Sequence, residues 1–413
     1  MTLNWKRLGL VLLFILMTIG IGMVIYFVFF KGLLGTDTNG NRNVNGGLFP
    51  DLNANRNVNG GVSNVNGGLP NINGDLGPTV VARGGDTTVS PVAKTLDGGA
   101  TVANNGRDLI YYDPVTGKFY QISPDGTTRS LLSPDAYPAA EKVTWSPQKD
   151  KAILEFPDAS KILYDVRNKR QYTLAPEMED IVFSPSGDKL TFKFIGSDSD
   201  DRMLVVSNFD GSNATTVTPL ADKASQFDVN WSPAGNVVAL FTTSTSADRQ
   251  TVVPVGILGE NFRSFDPPGR GFESSYSPDG QHLLFSVFTK ETGYNPTLYI
   301  ADGTANTMGN DMIDLDVQTW PEKCTFGTGT SLYCAVPQYL EQGTGLFTDL
   351  AKDVPDDIYR IDLATGRKER IARPVDSNGD GQYSATNLKL SSDESILYFF
   401  DQRTGQMQKI QLR

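Results

Sequence analysis

The chain has 413 residues, with 36 lysines and arginines against 47 aspartates and glutamates and a formal net charge of -11 at pH 7. Surfaces that bind nucleic acid depend on clustered cations, so this acidic balance argues against a nucleic-acid partner. The only histidine, His282, excludes by count any mechanism that needs a histidine pair or a metal site with several histidines.

An uncharged apolar segment near the N-terminus predicts a transmembrane helix. Residues 8–30 contain no charged side chain, and at about 1.5 Å rise per residue they cross the roughly 30 Å hydrocarbon core of a bilayer. The segment is longer than the apolar region of a signal peptide, and no small-residue cleavage site follows it. Lys6 and Arg7 precede it, whereas Lys31 alone follows it closely. The positive-inside rule therefore predicts a single-pass protein of the cell membrane, with residues 1–7 in the cytoplasm and the remainder extracytoplasmic.

The composition then changes to asparagine and glycine. NVNGG occurs at 43–47, 57–61 and 64–68, and NING follows at 71–74, which indicates a seven-residue unit. These residues favour turns and bury little apolar surface, so the segment cannot offset its own ordering entropy. We expect residues 31–86 to form a flexible linker with an average reach of about 35–40 Å. Stacking of the repeats into a fibrous assembly is the alternative.

A second repeat occupies the rest of the chain. Its core is an aromatic residue, then Ser-Pro-x-Gly or a variant of it, then a short apolar run. The copies are VTWSPQKDKAILEF (143–156), IVFSPSGDKLTFKF (181–194), VNWSPAGNVVALFT (229–242), SSYSPDGQHLLFSV (274–287), the degenerate CTFGTGTSLYCAV (324–336) and LKLSSDESILYFF (388–400), and a further copy, TVANNGRDLIYYD (101–113). Each copy is typical of a strand, a tight turn and a second strand. Most copies continue with two more strands, which is the pattern of a propeller blade.

Seven copies predict an all-β, seven-bladed β-propeller over residues 87–413, with four antiparallel strands in each blade. Six or eight blades are the alternatives, because two copies are degenerate. The last copy supplies only three strands, so TTVSPVA (87–93) is expected to add the fourth and close the ring. The large residue that begins each motif, from Trp145 to Leu390, is expected to pack between adjacent blades.

The Ser-Pro-x-Gly repeat resembles the PD40 repeat of TolB-like propellers, a WD40-type class, over about residues 87–413. The resemblance is to a membrane-anchored bacterial form without an appended enzyme domain. It implies the propeller fold and says little about activity, because the same fold carries unrelated functions.

The stretch DSNGDGQYSATN (376–387) matches a calcium loop of the EF-hand or dockerin type. The candidate ligands are Asp376, Asn378, Asp380, Gln382 and Ser384. Asn387 stands where an EF-hand has a bidentate glutamate, so Ca²⁺ is expected to bind weakly, at about 10⁻⁴–10⁻³ M. The alternative is an ordinary turn, rich in Asx residues and glycine, between blades 6 and 7.

The two cysteines of the chain, Cys324 and Cys334, lie on either side of Gly329 in the sixth copy. This symmetry places them opposite each other on two antiparallel strands, about 4.5–5.5 Å apart at Cα and within disulfide range. Two thiols alone make a poor metal site, and the CxxC spacing of redox pairs is absent. We expect a disulfide, which favours a location outside the cytoplasm.

Residues 335–357 form a long insertion between the second and third strands of blade 6. They place Tyr339, Leu346 and Phe347 in a surface loop, where exposed apolar side chains are typical of a partner-binding surface. The alternative is that the loop folds these side chains onto its own blade.

The leading hypothesis is a non-catalytic binding or scaffolding module for a protein, peptide or glycan of the cell envelope, without a cofactor other than weakly bound Ca²⁺. One alternative is a hydrolase or lyase that uses carboxylates of the central channel, which inward-facing acids without a counter-charge would indicate. The other is a structural spacer at the cell surface. The acidic run SDSDDR (197–202) is expected to be a solvated hairpin tip, and the serines of the Ser-Pro turns are expected to make turn hydrogen bonds.

Overall fold

The computed structural model describes residues 77–413. The predicted transmembrane helix at 8–30 and the predicted linker up to residue 76 lie outside these described residues. Within residues 77–413, no helix is long and apolar enough to cross a membrane.

Seven sheets follow one another along this part of the chain as the blades of a propeller, which confirms the predicted fold class. Blade 1 contains β3 (Ala100–Val102), β4 (Leu109–Asp113), β5 (Lys118–Ile122) and β6 (Arg129–Leu131). Blade 2 contains β7 (Lys142–Trp145), β8 (Lys151–Glu155), β9 (Lys161–Asp165) and β10 (Arg170–Leu174). Blade 3 contains β11 (Met178–Phe183), β12 (Lys189–Ile195), β13 (Arg202–Asn208) and β14 (Thr215–Pro219). The strands of blades 4 and 5 are β15 (Phe227–Val229), β16 (Val237–Ser244) and β17 (Gln250–Gly256); and β18 (Arg270–Tyr276), β19 (His282–Phe288), β20 (Pro296–Asp302) and β21 (Ile313–Asp314).

Blades 6 and 7 complete the ring with strands from both ends of the described chain. Blade 6 contains β22 (Cys324–Phe326), β23 (Ser331–Pro337), β24 (Asp356–Asp362), β25 (Lys368–Val375) and the added β1 (Asp86–Thr88). Blade 7 contains β26 (Ala385–Leu390), β27 (Ile396–Asp401), β28 (Gln406–Gln411) and the added β2 (Ser90–Lys94). Within residues 77–413, four short 3₁₀ helices lie between the strands, at Ser199–Asp201, Ala221–Gln226, Pro321–Lys323 and Thr348–Ala351.

Ring closure follows the predicted pairing and adds a contact that the sequence did not indicate. Strand β2 pairs antiparallel with β28, from Ser90 opposite Lys409 to Lys94 opposite Gln406. Strand β1 pairs parallel with β25, on the outer edge of blade 6. The hydrogen bonds of the propeller begin at Thr79, whose N–H donates to the Asp86 carbonyl at 2.9 Å. The N-terminal clasp, residues 79–94, therefore holds two neighbouring blades and starts inside the predicted linker, residues 31–86.

Blade 4 departs from the four-stranded pattern because its outer strand is interrupted. Val252 exchanges hydrogen bonds with Phe265 at 2.9 and 3.0 Å, and the Gly256 N–H donates to the Glu260 carbonyl at 2.7 Å. Pro254 lies between these two donors and has no N–H to offer an outer strand. The edge of β17 is covered by residues 260–265 through isolated bridges rather than a continuous strand.

The Ser-Pro turns join the first and second strands of the blades and repeat one set of hydrogen bonds. In blade 5 the Ser277 Oγ accepts the His282 N–H at 2.9 Å and donates to Asp279 Oδ1 at 2.6 Å. The equivalent serines 146, 184, 232 and 391 also accept a backbone N–H five residues ahead, at 3.0–3.1 Å. These bonds confirm the turn role expected for the serines.

The core lies between blades, as expected for the large residue of each motif. Trp231 packs with Leu204 and Val206 of the preceding blade, and the Trp145 indole N–H donates to the Gly99 carbonyl of blade 1 at 3.2 Å. Because alternate side chains of a strand face opposite sides of the sheet, residues one and three positions before this aromatic lie on the other face of the innermost strand, where Val182 packs against blade 4.

Antiparallel order within the blades sorts the connections onto two ends of the ring. The Ser-Pro turns lie at one end, called here the turn face. The connections between second and third strands, and those from one blade to the next, lie at the other end. This second end carries the 338–355 segment and is called here the insertion face.

Candidate functional site

The central channel has an acidic arc built by one repeated position. The residue three places before the motif aromatic is Asp180 in blade 3, Asp228 in blade 4 and Glu273 in blade 5. These three side chains and Glu322 of blade 6 line one cavity of about 580 Å³. The cavity is bounded by the innermost strands of several blades, so it belongs to the channel. Strands β11, β15 and β18 run away from the insertion face, which places this acidic arc towards that end.

Asp228, Glu273 and Glu322 are exposed to the space inside the channel, although protein atoms surround them. Burial raises the pKa of Glu273 to about 7, and the charges of Glu322 and Asp228 add to the effect. Burial likewise raises the pKa of Glu322, with Asp97 contributing, and that of Asp228, where Lys193 acts in the opposite direction. A carboxylic acid that titrates near neutral pH can both donate and accept a proton under ordinary conditions.

The negative charges of the acidic arc are unevenly compensated by lysine or arginine side chains. Asp180 forms an ion pair with Lys193, at 2.6 Å between Oδ2 and Nζ. Among the described residues, no lysine or arginine comes within ion-pair distance of Asp228, Glu273 or Glu322. The described structure thus contains inward-facing acids without an ion-pair partner, the feature expected of the enzymatic alternative.

In blade 6 the residue three places before the motif aromatic Phe326 is a lysine, Lys323. Lys323 turns away from the channel and pairs with Asp356 at 2.8 Å, with both side chains buried. The same Asp356 oxygen accepts the Ala385 N–H of blade 7 at 2.7 Å. This bridge joins the two blades that the N-terminal clasp also holds, and it leaves Glu322 as the charged group of blade 6 that faces the channel.

The insertion, residues 338–355, lies between β23 and β24 as predicted. It rests on the loop that joins β19 and β20 in blade 5: the N–H groups of Gly343 and Gly345 donate to the carbonyls of Gly293 and Tyr294, both at 2.8 Å. Thr344 is fully buried in this contact. The insertion is therefore hydrogen-bonded to the body of the propeller.

Some apolar side chains of the insertion fold onto the propeller and others are exposed to solvent, so both orientations predicted from the sequence occur. Ala351 and Val354 are buried against the propeller. Tyr339 and Phe347 are 60% and 68% exposed, and Leu346 and Leu350 are also exposed. The exposed group contains all three residues predicted to bind a partner.

The 376–387 segment forms a turn stabilised by its first aspartate. Asp376 Oδ1 accepts the N–H groups of Asn378 and Asp380 at 2.9 and 3.1 Å. The hydrogen bonds from the backbone, chiefly that of Asp380, lower the pKa of Asp376. These contacts are those of an Asx turn.

The later residues of the same segment have other partners. The Gln382 carbonyl accepts Arg403 Nη1 at 3.1 Å, and the buried Ser384 donates its N–H to Asp401 at 3.0 Å. Asn387 lies in β26 and donates to Asp97 Oδ1 at 2.5 Å. Across residues 77–413, no group of three or more His, Cys, Asp or Glu side chains is arranged to hold a metal ion. Calcium binding by this loop stays a prediction.

The predicted disulfide between Cys324 and Cys334 is present, with the two Cα atoms 4.1 Å apart. The cysteines are directly opposed in the pairing of β22 with β23. The Gly327 N–H donates to the Ser331 carbonyl at 2.8 Å. Hydrogen-bonded and non-hydrogen-bonded pairs alternate along the ladder, so Cys324 and Cys334 form a non-hydrogen-bonded pair, the closer of the two kinds.

Two other sequence features are structural. His282 is exposed at the start of β19, where its backbone N–H completes a Ser-Pro turn. The acidic run forms a largely exposed tip between β12 and β13, as predicted, and its last residue, Arg202, begins β13.

The acidic arc was not identified from the sequence, although a signal for it exists. Aligning the repeats on Trp145, Phe183, Trp231 and Tyr276 places Asp180, Asp228 and Glu273 at one shared position. Each acid is unremarkable in its own strand, and the three meet only because the blades close into a ring.

Comparison with solved structures finds the propeller fold in proteins of low sequence identity. The β-propeller domain of Swd1 (Cps50) from Myceliophteria thermophila is 11% identical, with a TM-score of 0.51 over 79% of this chain and 100% of that chain. An oligogalacturonate lyase in complex with manganese is 12% identical, with a TM-score of 0.49 over 79% and 91% of the two chains. The oligogalacturonate lyase from Vibrio parahaemolyticus is 10% identical, with a TM-score of 0.48 over 81% and 91%.

At these identities the likeness shows the fold alone. No protein-family model matches the sequence, and no curated protein matches it either.

Proposed function

We propose that this protein is a membrane-anchored, extracytoplasmic β-propeller that binds a protein, peptide or glycan of the cell envelope without catalysing a reaction. The observation that carries the proposal is the insertion, a hydrogen-bonded loop that presents Tyr339, Leu346, Phe347 and Leu350 to solvent. The apolar character of these side chains favours a protein or peptide. The resemblance of the Ser-Pro repeats to TolB-like propellers is part of this proposal.

Anchorage of the loop matters for affinity. Its backbone is held to blade 5 at Gly343 and Gly345, so a partner would bind a surface whose ordering cost is already met by folding. Aromatic anchors on a preorganised surface are typical of the residues that dominate binding energy. The insertion face also carries the acidic arc, which favours a partner with a cationic segment next to an apolar one.

The test places a photo-crosslinking amino acid at Phe347 of the full-length protein in its native cells. We expect one discrete crosslinked product at this position. The matched control is Leu258, an apolar residue that is 88% exposed on the turn face, where we expect no such product. Equal crosslinking at both positions would contradict a specific site, and no product at either would favour the structural spacer.

A second candidate function is a hydrolase or lyase that works in the channel. The specific observation in its favour is Glu273, whose pKa of about 7 and lack of an ion-pair partner among residues 77–413 suit a general acid or base. Asp228 and Glu322 would then supply the negative charge that keeps this proton in place.

The enzymatic candidate is tested by incubating the full-length protein with envelope peptides, glycans and esters. Turnover that Glu273→Gln reduces by at least a hundredfold, while the exposed Glu369→Gln does not, would establish the channel as an active site. Absence of turnover in the wild type would leave the binding function.

A further inference from the structure

Two lysines of the channel, Lys149 and Lys389, have no carboxylate within ion-pair distance among the described residues. Lys142, Lys193 and Lys323 each have a carboxylate, at 3.0, 2.6 and 2.8 Å respectively. Within the described part of the chain, Lys149 and Lys389 make no ion pair, and neither ammonium group donates a hydrogen bond. They face the same cavity of about 660 Å³.

The position of Lys149 is conformationally costly. It stands in a Ser-Pro turn where blades 3, 4 and 5 have glycine, and its φ of 60° lies in the left-handed region that disfavours side chains. Blade 7 has Glu394 at this position, and that carboxylate accepts the Tyr333 hydroxyl at 3.0 Å. The glutamate therefore has a structural use, whereas the ammonium of Lys149 has none among the described residues.

The two lysines also act on each other. Burial lowers the pKa of both, and the charge of Lys149 lowers that of Lys389 further. Asp97 acts in the opposite direction on Lys389, but its Oδ1 already accepts Asn387 at 2.5 Å and Thr386 at 3.4 Å. Two positive charges in one partly desolvated cavity repel each other, and an anion between them would remove that repulsion.

The ends of the cavity differ in charge. Asp97 and Glu141 line it in the connections that lead into blades 1 and 2, at the insertion face. Lys149 is in a turn at the opposite end, and Lys389 immediately precedes the last residue of β26. Trp145 lines the wall beside them, with its indole fixed by the hydrogen bond to Gly99.

We propose that Lys149 and Lys389 form a binding site for a small anion that carries carboxylate or phosphate oxygens, placed in the channel beside Trp145 and towards the turn face. Each ammonium would donate to an oxygen of the anion, in charge-assisted hydrogen bonds that neither lysine makes within the propeller. The site is separate from the exposed side chains of the insertion.

The experiment measures binding of sodium phosphate and of sodium malonate to the full-length protein in detergent, by calorimetry and by thermal unfolding. Sodium chloride at equal ionic strength is the reference. We expect saturable binding of at least one probe and a rise in Tm. The preferred probe then assigns the ligand to the phosphate or the carboxylate source.

Three variants make the assignment specific. Lys149→Met and Lys389→Met are each expected to weaken binding at least tenfold, whereas Lys94→Met, an exposed lysine of β2, is expected to bind as the wild type does. Without anion, Lys389→Met should melt at or above the wild-type temperature, because it removes an unpaired charge from a partly desolvated site. Failure of this variant to fold, absence of saturable binding, or equal binding by all three variants would overturn the proposal.

Discussion

At the scale of single residues, the ionisation of Glu273 should be visible as a pH dependence of stability. Its pKa is raised from 4.5 in the unfolded chain to about 7 in the propeller. The folded state therefore binds more protons than the unfolded state between these values, and stability falls as the pH rises through this window.

Glu273→Gln removes this ionisation. We expect the variant and the wild type to have equal stability at pH 3.5, and the variant to be more stable at pH 8 by on the order of 1 kcal/mol, after discounting for screening by channel water. Urea unfolding at the two pH values measures the difference. A variant that is less stable than the wild type at pH 8 would show that the ionised carboxylate has a favourable partner.

The disulfide gives a second prediction at this scale. Replacing both Cys324 and Cys334 with alanine opens a short loop and should lower the free energy of unfolding by about 2–3 kcal/mol in the chain-entropy model. The wild type treated with reductant is the matched control, and its free energy of unfolding should equal that of the variant. Free-thiol labelling of the untreated native protein should find no reactive cysteine, and a labelled thiol would contradict a fully formed bridge.

At the scale of elements, the N-terminal clasp is predicted to stabilise the whole ring. Val89 lies between β1 and β2 and packs in one cluster with Ala335, Ile358 and Phe399 of blades 6 and 7. Val89→Asp would bury a carboxylate among these apolar groups, and we expect a loss of roughly 3 kcal/mol or more. The control is Val80→Asp, since Val80 is 71% exposed. Thermal unfolding should separate the two variants, and an equal Tm would mean that the clasp contributes little.

The elements also show what the sequence could predict. Strand-turn-strand units follow from local signals, because a Ser-Pro turn between two β-branched and aromatic runs stabilises its own hairpin. Strand β1 was missed because its pairing with β25 depends on residues far away in the chain. The interrupted edge of blade 4 depends on the register of Pro254, which decides whether its missing N–H faces the neighbour or not.

The candidate sites also differ in how far they can be predicted from the sequence. The disulfide was predictable because both cysteines belong to one hairpin, whose turn fixes their register. The insertion was predictable from its length. The acidic arc and the Lys149–Lys389 pair combine residues of different blades, so they need the ring geometry as well as the repeat.

At the scale of the whole molecule, the predicted topology can be tested directly. In a background with both native cysteines replaced by alanine, Leu258→Cys should react with a membrane-impermeant maleimide on intact spheroplasts, since Leu258 is 88% exposed. Thr2→Cys should react only after permeabilisation, because the positive-inside rule places residues 1–7 in the cytoplasm. The reverse pattern would contradict the predicted orientation and the proposed envelope function together.

The clasp has a kinetic consequence. Blade 7 is complete only when Ser90–Lys94 joins Gln406–Gln411, so the last blade cannot form until nearly the whole propeller has been synthesised. Pairing of such distant segments requires closure of a very large loop and is slow. Until then β26, β27 and β28 present an open sheet edge, which is the form most prone to pairing with another chain. The newly synthesised chain should therefore depend on chaperones more than the stability of the folded protein would suggest.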